Sequence, residues 1–302
     1  MSRKKISNDK ISSSFTGGKL RRYAKVTTAM GGLAAKLAGE KYLGIKVDRE
    51  NHAKQLRDAL GGIKGPLMKV AQILSTIPDA VPQEYANELA HLQADAPSMG
   101  WLFVKRRMRA ELGINWEDNF KSFDKTASAA ASLGQVHFAE GLNNTKLACK
   151  LQYPDMSSAV QADLNQLKLI FSLYEKYDSA ISTKSIHEEL SERLLEELDY
   201  GHELKNLNLY RSMLSKYKEI ILPEPVKELS TSRLLTMTKT SGAKVMDFIK
   251  NTEDKKLKNK LALNMFKAWY VPFYEYGVIH GDPHLGNYTI MNNANLNLLD
   301  FG

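Results

Sequence analysis

The spacing of apolar and polar positions along the chain changes near residue 119. Before that point, apolar residues recur every three or four positions between glycine and proline breaks, which predicts helices. The clearest of these helices cover residues 67–76, 83–94 and 101–112. After that point, short β-rich runs separated by turns predict strands at residues 120–124, 128–139 and 146–152.

The rest of the chain mixes helices with short strands. Two helices are predicted at residues 156–177 and 185–210, strands at 220–223 and 233–238, and further helices at 243–250 and 255–277. Near the end, runs at residues 288–291 and 296–299 flank an Asn-rich turn, which predicts a hairpin. This order predicts an α+β fold with a helical amino-terminal part, a small sheet, more helices and a hairpin.

Composition narrows the class of protein. The 302 residues are 43% hydrophobic and 25% charged, which is ordinary for a globular protein. No apolar run approaches the roughly 20 residues that a membrane-spanning helix needs, and the polar residues 1–15 lack the apolar core of a secretory signal. The single cysteine, Cys149, cannot form an internal disulfide and suits a reducing cytosol. We therefore expect a cytoplasmic protein.

The net charge of +8 arises partly from basic clusters at residues 3–5, 19–22 and 105–109. Such clusters can be solvated helix faces, or they can attract an anionic membrane surface or a nucleic acid. Solvated faces are the favoured interpretation, and peripheral contact with the inner face of a membrane is the alternative. No nucleic-acid motif accompanies the clusters, so no nucleic-acid partner is expected.

Candidate chemistry is concentrated at the end of the chain. Asp282 stands five residues before Asn287, and Asp300 follows thirteen residues after that amide. The predicted hairpin would carry Asp300 back beside the other two. One carboxylate that orients a hydroxyl, with an amide and a second carboxylate that hold magnesium, is the arrangement that phosphoryl transfer needs.

A lysine for the phosphates is predicted in the strand at residues 146–152. Because alternate residues of a strand share a face, Lys150 and Ala148 point to one side and their neighbours to the other. The small Ala148 leaves room for a flat ring beside the lysine. Cys149, on the opposite face, is predicted to be a buried small residue and not a nucleophile.

The lysine needs an acidic counterpart, and the predicted helix at residues 185–210 supplies several. At about 100° per residue, Glu196, Asp199 and Glu203 would share one helix face. Like charges so close together must be solvated or must meet cations. We expect Glu203 to pair with Lys150, and the other acids to meet a second lysine or a metal.

An alanine-rich stretch stands where a glycine-rich phosphate loop would stand. Alanine cannot adopt a positive φ cheaply, so this loop must hold a nucleotide in another geometry. The residues expected to contact the nucleotide there are Ala129, Ala130, Ala131, Ser132 and Gln135.

These motifs carry a resemblance to a known family. The run His-Gly-Asp-Pro-His-Leu-Gly-Asn at residues 280–287, with Asp-Phe-Gly at 300–302, resembles the catalytic and metal loops of kinase-like phosphotransferases. Together with the alanine-rich loop and the acidic helix, it resembles the UbiB family, the AarF-like atypical kinases linked to ubiquinone biosynthesis. That family also has a Lys-x-Gly-Gln motif, which here is Lys69-Val70-Ala71-Gln72 with alanine in place of glycine.

The resemblance implies a two-lobed protein-kinase-like fold. Residues 1–18 would be a flexible basic arm, 19–118 a helical extension, 119–242 the N-lobe and 243–302 the start of the C-lobe. The family continues through an activation segment and further helices, so an incomplete C-lobe is expected here.

The resemblance also implies residue roles. Lys150 would contact nucleotide phosphates and pair with Glu203, and Asp282 would be the catalytic carboxylate. Asn287 and Asp300 would bind Mg²⁺. The backbone between Thr238 and Thr240 would bind adenine as the hinge. Finally, the helix at residues 67–76 would lie across the mouth of the cleft, where Lys69 and Gln72 would meet Glu197 and Asp199.

The function implied is that of an ATP- or ADP-binding, Mg²⁺-dependent atypical kinase or ATPase that supports ubiquinone production. It would act on a small or lipid substrate, such as a quinone precursor, or hydrolyse ATP. The His-Gly-Asp opening leaves a small-molecule kinase of the aminoglycoside or choline type as one alternative. A nucleotide-sensing scaffold without catalysis is another. The phosphoryl acceptor and the oligomeric state are left open.

Overall fold

The computed structural model describes residues 99–131, 133–154, 156–175, 183–282 and 284–302, with Gly32, Glu50, Asn51 and Lys54. The chain divides into two compact units, Met1–Pro97 and Ser98–Gly302, and the fold below is that of the second unit. The predicted helices at residues 67–76 and 83–94 lie outside the described residues. The same holds for Lys69, Gln72 and Ser132.

The first half of this unit is built on an antiparallel sheet. Its elements are α1 (Trp101–Leu112), β1 (Phe120–Phe123), β2 (Ala129–Ala131), β3 (Gly134–Gly141) and β4 (Lys146–Gln152). The strand order is β1-β3-β4-β6, where β6 is Leu234–Thr238, and β2 also pairs with β3. The register sets Val136 opposite Lys150 in β4, and Lys150 opposite Leu235 in β6. Lys150 therefore lies on a central strand with a neighbour on each side.

One face of the sheet packs against α1. Leu147, Cys149 and Leu151 of β4 are buried there with Val104 and Met108 of the helix. Alternation along β4 turns Lys150 and Ala148 to the other face, as predicted. Cys149 is fully buried, which confirms the prediction of a buried small residue, and this burial raises the pKa of its thiol to about 12. The helix that the sequence analysis assigns to the extension thus contributes to the core of the sheet.

Three helices follow β4, where two were predicted. They are α2 (Met156–Glu175), α3 (Thr183–Glu196) and α4 (Tyr200–Met213). The prediction of one continuous helix at residues 185–210 is wrong. Asp199 takes an extended conformation and its carboxylate accepts the N–H of Gly201 at 2.9 Å, which caps a new helix. The break means that Glu196, Asp199 and Glu203 do not share one helix face.

The second half holds a smaller sheet and two helices. In chain order these are β5 (Ile220–Ile221), β7 (Ala243–Lys244), α5 (Val245–Asn251), α6 (Lys255–Tyr276), β8 (Tyr288–Ile290) and β9 (Leu296–Leu298), and β6 of the first sheet lies between β5 and β7 in the chain. The predicted hairpin is confirmed, because β8 and β9 pair antiparallel with Tyr288 opposite Leu298. The strand order of this sheet is β5-β9-β8-β7. A core that includes Leu207 and Leu261 joins α4, α6 and the hairpin.

Helix α6 has two apolar faces. Asp254 caps its start and Gly277, at φ 68°, ends it. Leu261 and Ala268 face the core, whereas the opposite side exposes a ladder of stacked rings. The ladder consists of Phe266, Tyr270 and Tyr274. Neither this helix nor any other in the described part of the chain is long and apolar enough to cross a membrane.

Gly134 is expected to be the least replaceable glycine of the β3–β4 pair. A Cβ there would lie 2.3 Å from the Leu151 carbonyl oxygen and 2.7 Å from the Tyr200 hydroxyl, so the strands would have to separate. We predict that Gly134→Ala lowers the free energy of unfolding by about 3 kcal/mol. Urea denaturation measures this.

Gly141, at the other end of β3, is the matched control. A Cβ there would meet the side-chain oxygen of Asn143 at 3.1 Å, and that side chain can move aside. Gly141→Ala should therefore change the free energy of unfolding by less than about 1 kcal/mol. Equal effects of the two substitutions would contradict the close approach of strand and tyrosine at Gly134.

Candidate active site

Lys150 is held by two carboxylates. Its Nζ lies 2.8 Å from both carboxylate oxygens of Glu203 and 3.3 Å from Oδ1 of Asp300. The predicted pair between Lys150 and Glu203 is therefore confirmed. The side chains of Lys150 and Glu203 are 12% and 3% exposed, whereas that of Asp300 is 43% exposed. Lys150, Glu203 and Asp300 thus form a cluster that is buried at Glu203 and exposed at Asp300.

The buried face of α4 explains why Glu203 needs a cation. Tyr200, Glu203 and Leu207 follow one another at intervals of three and four residues and are all buried. Glu203 is thus the acid within an otherwise apolar stripe, and an unpaired carboxylate there would be costly. The same helix is tied to the end of the chain, because the Asn206 side-chain amide donates to the Phe301 carbonyl at 2.9 Å.

The shared ammonium shifts the pKa values in the cluster. Burial by itself lowers the pKa of Lys150, but the carboxylates of Asp300 and Glu203 outweigh it and raise that pKa well above its usual value. Burial also raises the pKa of Glu203 to about 7, which Lys150 offsets only in part. Lys150 therefore keeps its charge at neutral pH, while Glu203 is the acid nearest to taking up a proton.

Tyr200 completes the buried end of the cluster, and the sequence analysis did not single it out. The centre of its ring lies 5.2 Å from Lys150 Nζ, at a distance suited to a cation–π contact. Burial raises the pKa of its phenol, so it stays protonated. Its burial in α4 could not be read from a single tyrosine in a polar stretch.

The loop before β8 organises the predicted catalytic carboxylate. Oδ2 of Asp282 accepts from the Asn287 side-chain amide at 2.9 Å, and Oδ1 accepts from the His284 N–H at 3.2 Å. The Leu299 N–H donates to the Asn287 carbonyl at 3.0 Å, and His280 Nε2 donates to the Asp300 carbonyl at 2.7 Å. These bonds join the loop to the segment that carries Asp300, as the hairpin prediction required.

The donor set suits a hard divalent cation. Since the amide nitrogen of Asn287 donates to Asp282, its amide oxygen is directed away from that carboxylate. Amide and carboxylate oxygens, completed by phosphates and water, are the ligands that Mg²⁺ prefers. Among the described residues no group of three or more His, Cys, Asp or Glu forms a protein-only metal cage. Asn287 and Asp300 therefore fit a magnesium that also needs phosphate ligands.

The alanine-rich stretch forms a strand. Ala129 to Ala131 pair with β3, and Ala131 stands opposite Gly134. Gln135 points elsewhere: its buried amide accepts the Met99 N–H at 2.6 Å and donates to the Met99 carbonyl at 3.2 Å. The structure therefore does not bring Gln135 to the predicted nucleotide face. It serves to anchor the segment before α1.

The predicted hinge lies where the chain leaves β6. The Thr238 N–H donates to the Glu224 carbonyl at 2.8 Å, and the Thr238 hydroxyl accepts the Glu224 N–H at 2.8 Å. Thr240 is half-buried just beyond it, before β7 of the second sheet. The segment from Thr238 to Thr240 thus connects the two sheets. Its contact with adenine stays a prediction.

The two acids expected to meet Lys69 and Gln72 differ in their surroundings. Asp199 is exposed, and its carboxylate caps α4 by accepting the Gly201 N–H. Glu197 is half-buried and acts electrostatically on Tyr200, which sets it near the cluster. Their predicted partners Lys69 and Gln72 lie outside the described residues.

Comparisons with known proteins agree on one family. Residues 91–302 match the family described as "ABC1 atypical kinase-like domain". "Protein ACTIVITY OF BC1 COMPLEX KINASE 7, chloroplastic" of Arabidopsis thaliana is 30% identical over 85% of this chain and 37% of its own length. "Atypical kinase COQ8, mitochondrial" of Saccharomyces cerevisiae is 26% identical over 84% of this chain and 50% of its own length. The chain thus spans half or less of these two relatives.

A solved structure shows the same fold. The protein in "The complex structure of Rv3197-erythromycin from Mycobacterium tuberculosis" superposes with a TM-score of 0.62 at 27% sequence identity. The match covers 90% of this chain and 66% of that one. Together with the sheet, α4 and the hairpin described above, it confirms the predicted α+β protein-kinase-like fold.

The energetic coupling of Lys150 and Glu203 can be measured directly. Lys150→Met leaves two carboxylates without their cation, which should lower the free energy of unfolding by about 3–5 kcal/mol. In a Glu203→Gln background the same substitution should cost at least about 1 kcal/mol less. Lys146→Met, in the same strand but with a side chain 66% exposed, is the control and should cost less than about 0.5 kcal/mol. Additive effects of the first two substitutions would contradict the pairing.

The raised pKa of Glu203 predicts a pH dependence of stability. With a folded pKa of about 7 and an ordinary value of 4.5, the folded chain holds a proton that the unfolded chain releases. The stabilisation that this proton provides is therefore full below the pKa of the unfolded chain and is lost as pH rises through the pKa of the folded chain.

The measurement is urea denaturation of the wild type and Glu203→Gln at several pH values. The stability of the wild type relative to the variant should fall between pH 4.5 and about 7 and then level off. A relative stability that rises across this window would mean that ion pairing, and not burial, dominates the titration of Glu203.

Proposed function

The chain belongs to the ABC1 atypical kinase-like family, and we propose that it binds ATP with Mg²⁺ and transfers the γ-phosphoryl group. The observation that carries this proposal is the buried ammonium of Lys150 between Glu203 and Asp300. The β8–β9 hairpin joins this ion-pair cluster to the loop that contains Asp282 and Asn287. A phosphate-binding lysine with its acid, a catalytic carboxylate and an Asn–Asp metal pair are the parts of a kinase site.

Each residue has a defined task in the proposed reaction. Lys150 donates to phosphate oxygens of ATP and keeps its charge because of its two acids. Asp282, oriented by Asn287 and by the His284 N–H, accepts the proton of the attacking hydroxyl. The acceptor oxygen forms a bond to the γ-phosphorus while the bond to the β-phosphate oxygen breaks, and ADP leaves. Asn287 and Asp300 would hold Mg²⁺, which when bound neutralises phosphate charge.

The acceptor is proposed to be water or the hydroxyl of a small or lipid molecule, such as a quinone precursor. Support comes from the motifs that resemble the UbiB kinases and from similarity to the relative named atypical kinase COQ8. We place the protein in the cytoplasm or at the inner face of a membrane. The exposed side chains of Lys105, Arg106 and Arg109 on α1 offer positive charge for an anionic surface.

The test is nucleotide binding and turnover with matched variants. Mg²⁺–ATP should raise the melting temperature of the wild type more than ATP with a chelator does. Asn287→Ala should abolish that difference, because it removes a proposed metal ligand. Asp282→Asn should keep binding but lower the turnover number by about 100-fold or more. Phosphate release, measured with and without a phenolic quinone-precursor analogue, separates hydrolysis from transfer.

Other outcomes favour the alternatives. Equal stabilisation with and without Mg²⁺ would contradict the metal role of Asn287 and Asp300. A clear Mg²⁺–ATP shift, with wild-type turnover no higher than that of Asp282→Asn, would favour a nucleotide-sensing scaffold. Transfer to an aminoglycoside or choline, and not to the phenol, would favour the small-molecule kinase.

A further inference from the structure

Asn297, in the centre of β9, is a buried amide to which the proposed reaction gives no task. The residue is 1% exposed, and its strand neighbours Leu296 and Leu298 are buried and apolar. Its Nδ2 donates to the Ser241 carbonyl at 3.0 Å and to the Thr289 hydroxyl at 2.9 Å. A side-chain amide nitrogen carries two protons, so both are used and the side chain is held in one orientation.

These two bonds reach the predicted hinge and the hairpin at once. Ser241 is the residue that directly follows the hinge segment. Thr289 stands opposite Asn297 in the β8–β9 pair and follows two residues after the proposed metal ligand Asn287. Asn297 itself lies three residues before Asp300. One side chain thus connects the end of the hinge to the two strands that lie next to the proposed metal ligands.

The backbone after the hinge also lies directly against the hairpin. A Cβ at Gly242 would be 2.9 Å from both the backbone nitrogen and the backbone oxygen of Ile290, and 3.0 Å from Nδ2 of Asn297. No side chain therefore fits between this backbone and β8. The residues that follow form β7, which pairs with β8. The exit of the hinge is thus held close to the hairpin on both sides of the Asn297 amide.

The start of the hinge is held by the first sheet. The Lys239 N–H donates to the Lys146 carbonyl at 2.8 Å, at the beginning of β4. Lys150 lies four residues further along the same strand. The hinge is therefore bonded at its start to the strand of the phosphate-binding lysine. At its end it is bonded, through Asn297, to the hairpin of the metal pair.

A nucleotide must be bound at both of its ends. Its base and its phosphates are joined by a covalent linker of limited length. Such a ligand binds more tightly than its separate parts only when the two sites stand at a separation that the linker can span. The separation of the hinge from the metal pair is therefore a determinant of affinity, independent of the residues that contact either end.

We propose that Asn297 is a positioning residue for the nucleotide. Its amide holds the hinge at the separation from the Asn287–Asp300 metal pair at which the base and the phosphates of one nucleotide are bound together. Without the amide, each site keeps its own residues, but the backbone contacts between the hinge exit and β8 alone set the separation. The inference rests on the proposed function, because it requires a nucleotide with Mg²⁺ in the site.

Three substitutions test this role. Asn297→Leu keeps a side chain of similar size and loses both donors. Thr289→Val keeps the shape of that side chain and removes only the hydroxyl that accepts from Asn297. Asn264→Leu is the matched control, because Asn264 is also 1% exposed and its Nδ2 donates to the Ala294 carbonyl at 3.0 Å, in the hairpin turn and not at the hinge.

The readouts are the melting temperature and the Kd values of adenosine, Mg²⁺–tripolyphosphate and Mg²⁺–ATP. The product of the first two Kd values divided by the third measures how well the two ends are bound together. We expect Asn297→Leu to lower this quotient by about 10-fold, while the Kd values of the two fragments stay those of the wild type. Thr289→Val should lower it less. Asn264→Leu should lower the melting temperature as Asn297→Leu does and leave the quotient unchanged.

Two results would overturn the inference alone. A wild-type quotient in Asn297→Leu would mean that the amide only stabilises the fold. An equal fall of the quotient in Asn264→Leu would mean that any loosening of the hairpin has this effect. If Asn297→Leu does not fold, a wild-type quotient in Thr289→Val overturns the inference in its place.

Failure of the proposed function gives a different pattern. A wild type that does not bind Mg²⁺–ATP would overturn the proposed function, and this inference with it. A wild type that shows the expected quotients but turns over no faster than Asp282→Asn would overturn the proposed phosphoryl transfer and support the positioning role of Asn297.

Discussion

The buried ammonium of Lys150 is the interaction on which the site depends. It joins three segments that are far apart in the chain: strand β4, helix α4 and the residue after the hairpin. Charges are tolerated at such depth only when they are paired, because each ion loses its hydration. The pair therefore favours the rotation of helix α4 that sets Glu203 beside Lys150.

The two carboxylates that contact the Lys150 ammonium differ in distance and burial, and the more exposed one lies where a substrate could approach. Glu203 is 3% exposed and holds Lys150 through both oxygens, whereas Asp300 is 43% exposed and makes one contact at 3.3 Å. Phosphate oxygens that approach Lys150 from the open end would meet Asp300 first. A cation held by Asp300 would offset the repulsion between this carboxylate and the phosphates. Glu203 is thus the closer and more buried partner of the lysine, and Asp300 is the more distant and more exposed one.

The parts of this site that were predictable depend on local rules of the backbone. Alternation in a strand gave the direction of Lys150, and the Asn-rich turn gave the hairpin that returns Asp300. The break before α4 was missed because helical spacing of apolar residues continues across it, although Asp199, two residues before a glycine, is a capping signal. The hydrogen-bond partner of the Gln135 side chain was not predictable, because that partner, Met99, is 36 residues away in the sequence. Contacts of that range depend on how α1 packs, which no local pattern encodes.

The alanine-rich strand changes how a phosphate loop can work. A glycine-rich loop can curl over phosphates because its backbone reaches positive φ, but Ala129 to Ala131 stay extended and pair in register with β3. Further along the chain, Leu133 is buried and its carbonyl accepts the Tyr153 N–H at 3.0 Å. An extended strand that is paired in this way does not curl over phosphates as a glycine-rich loop does. In the proposed function, the phosphates are therefore recognised chiefly by side-chain donors, above all Lys150.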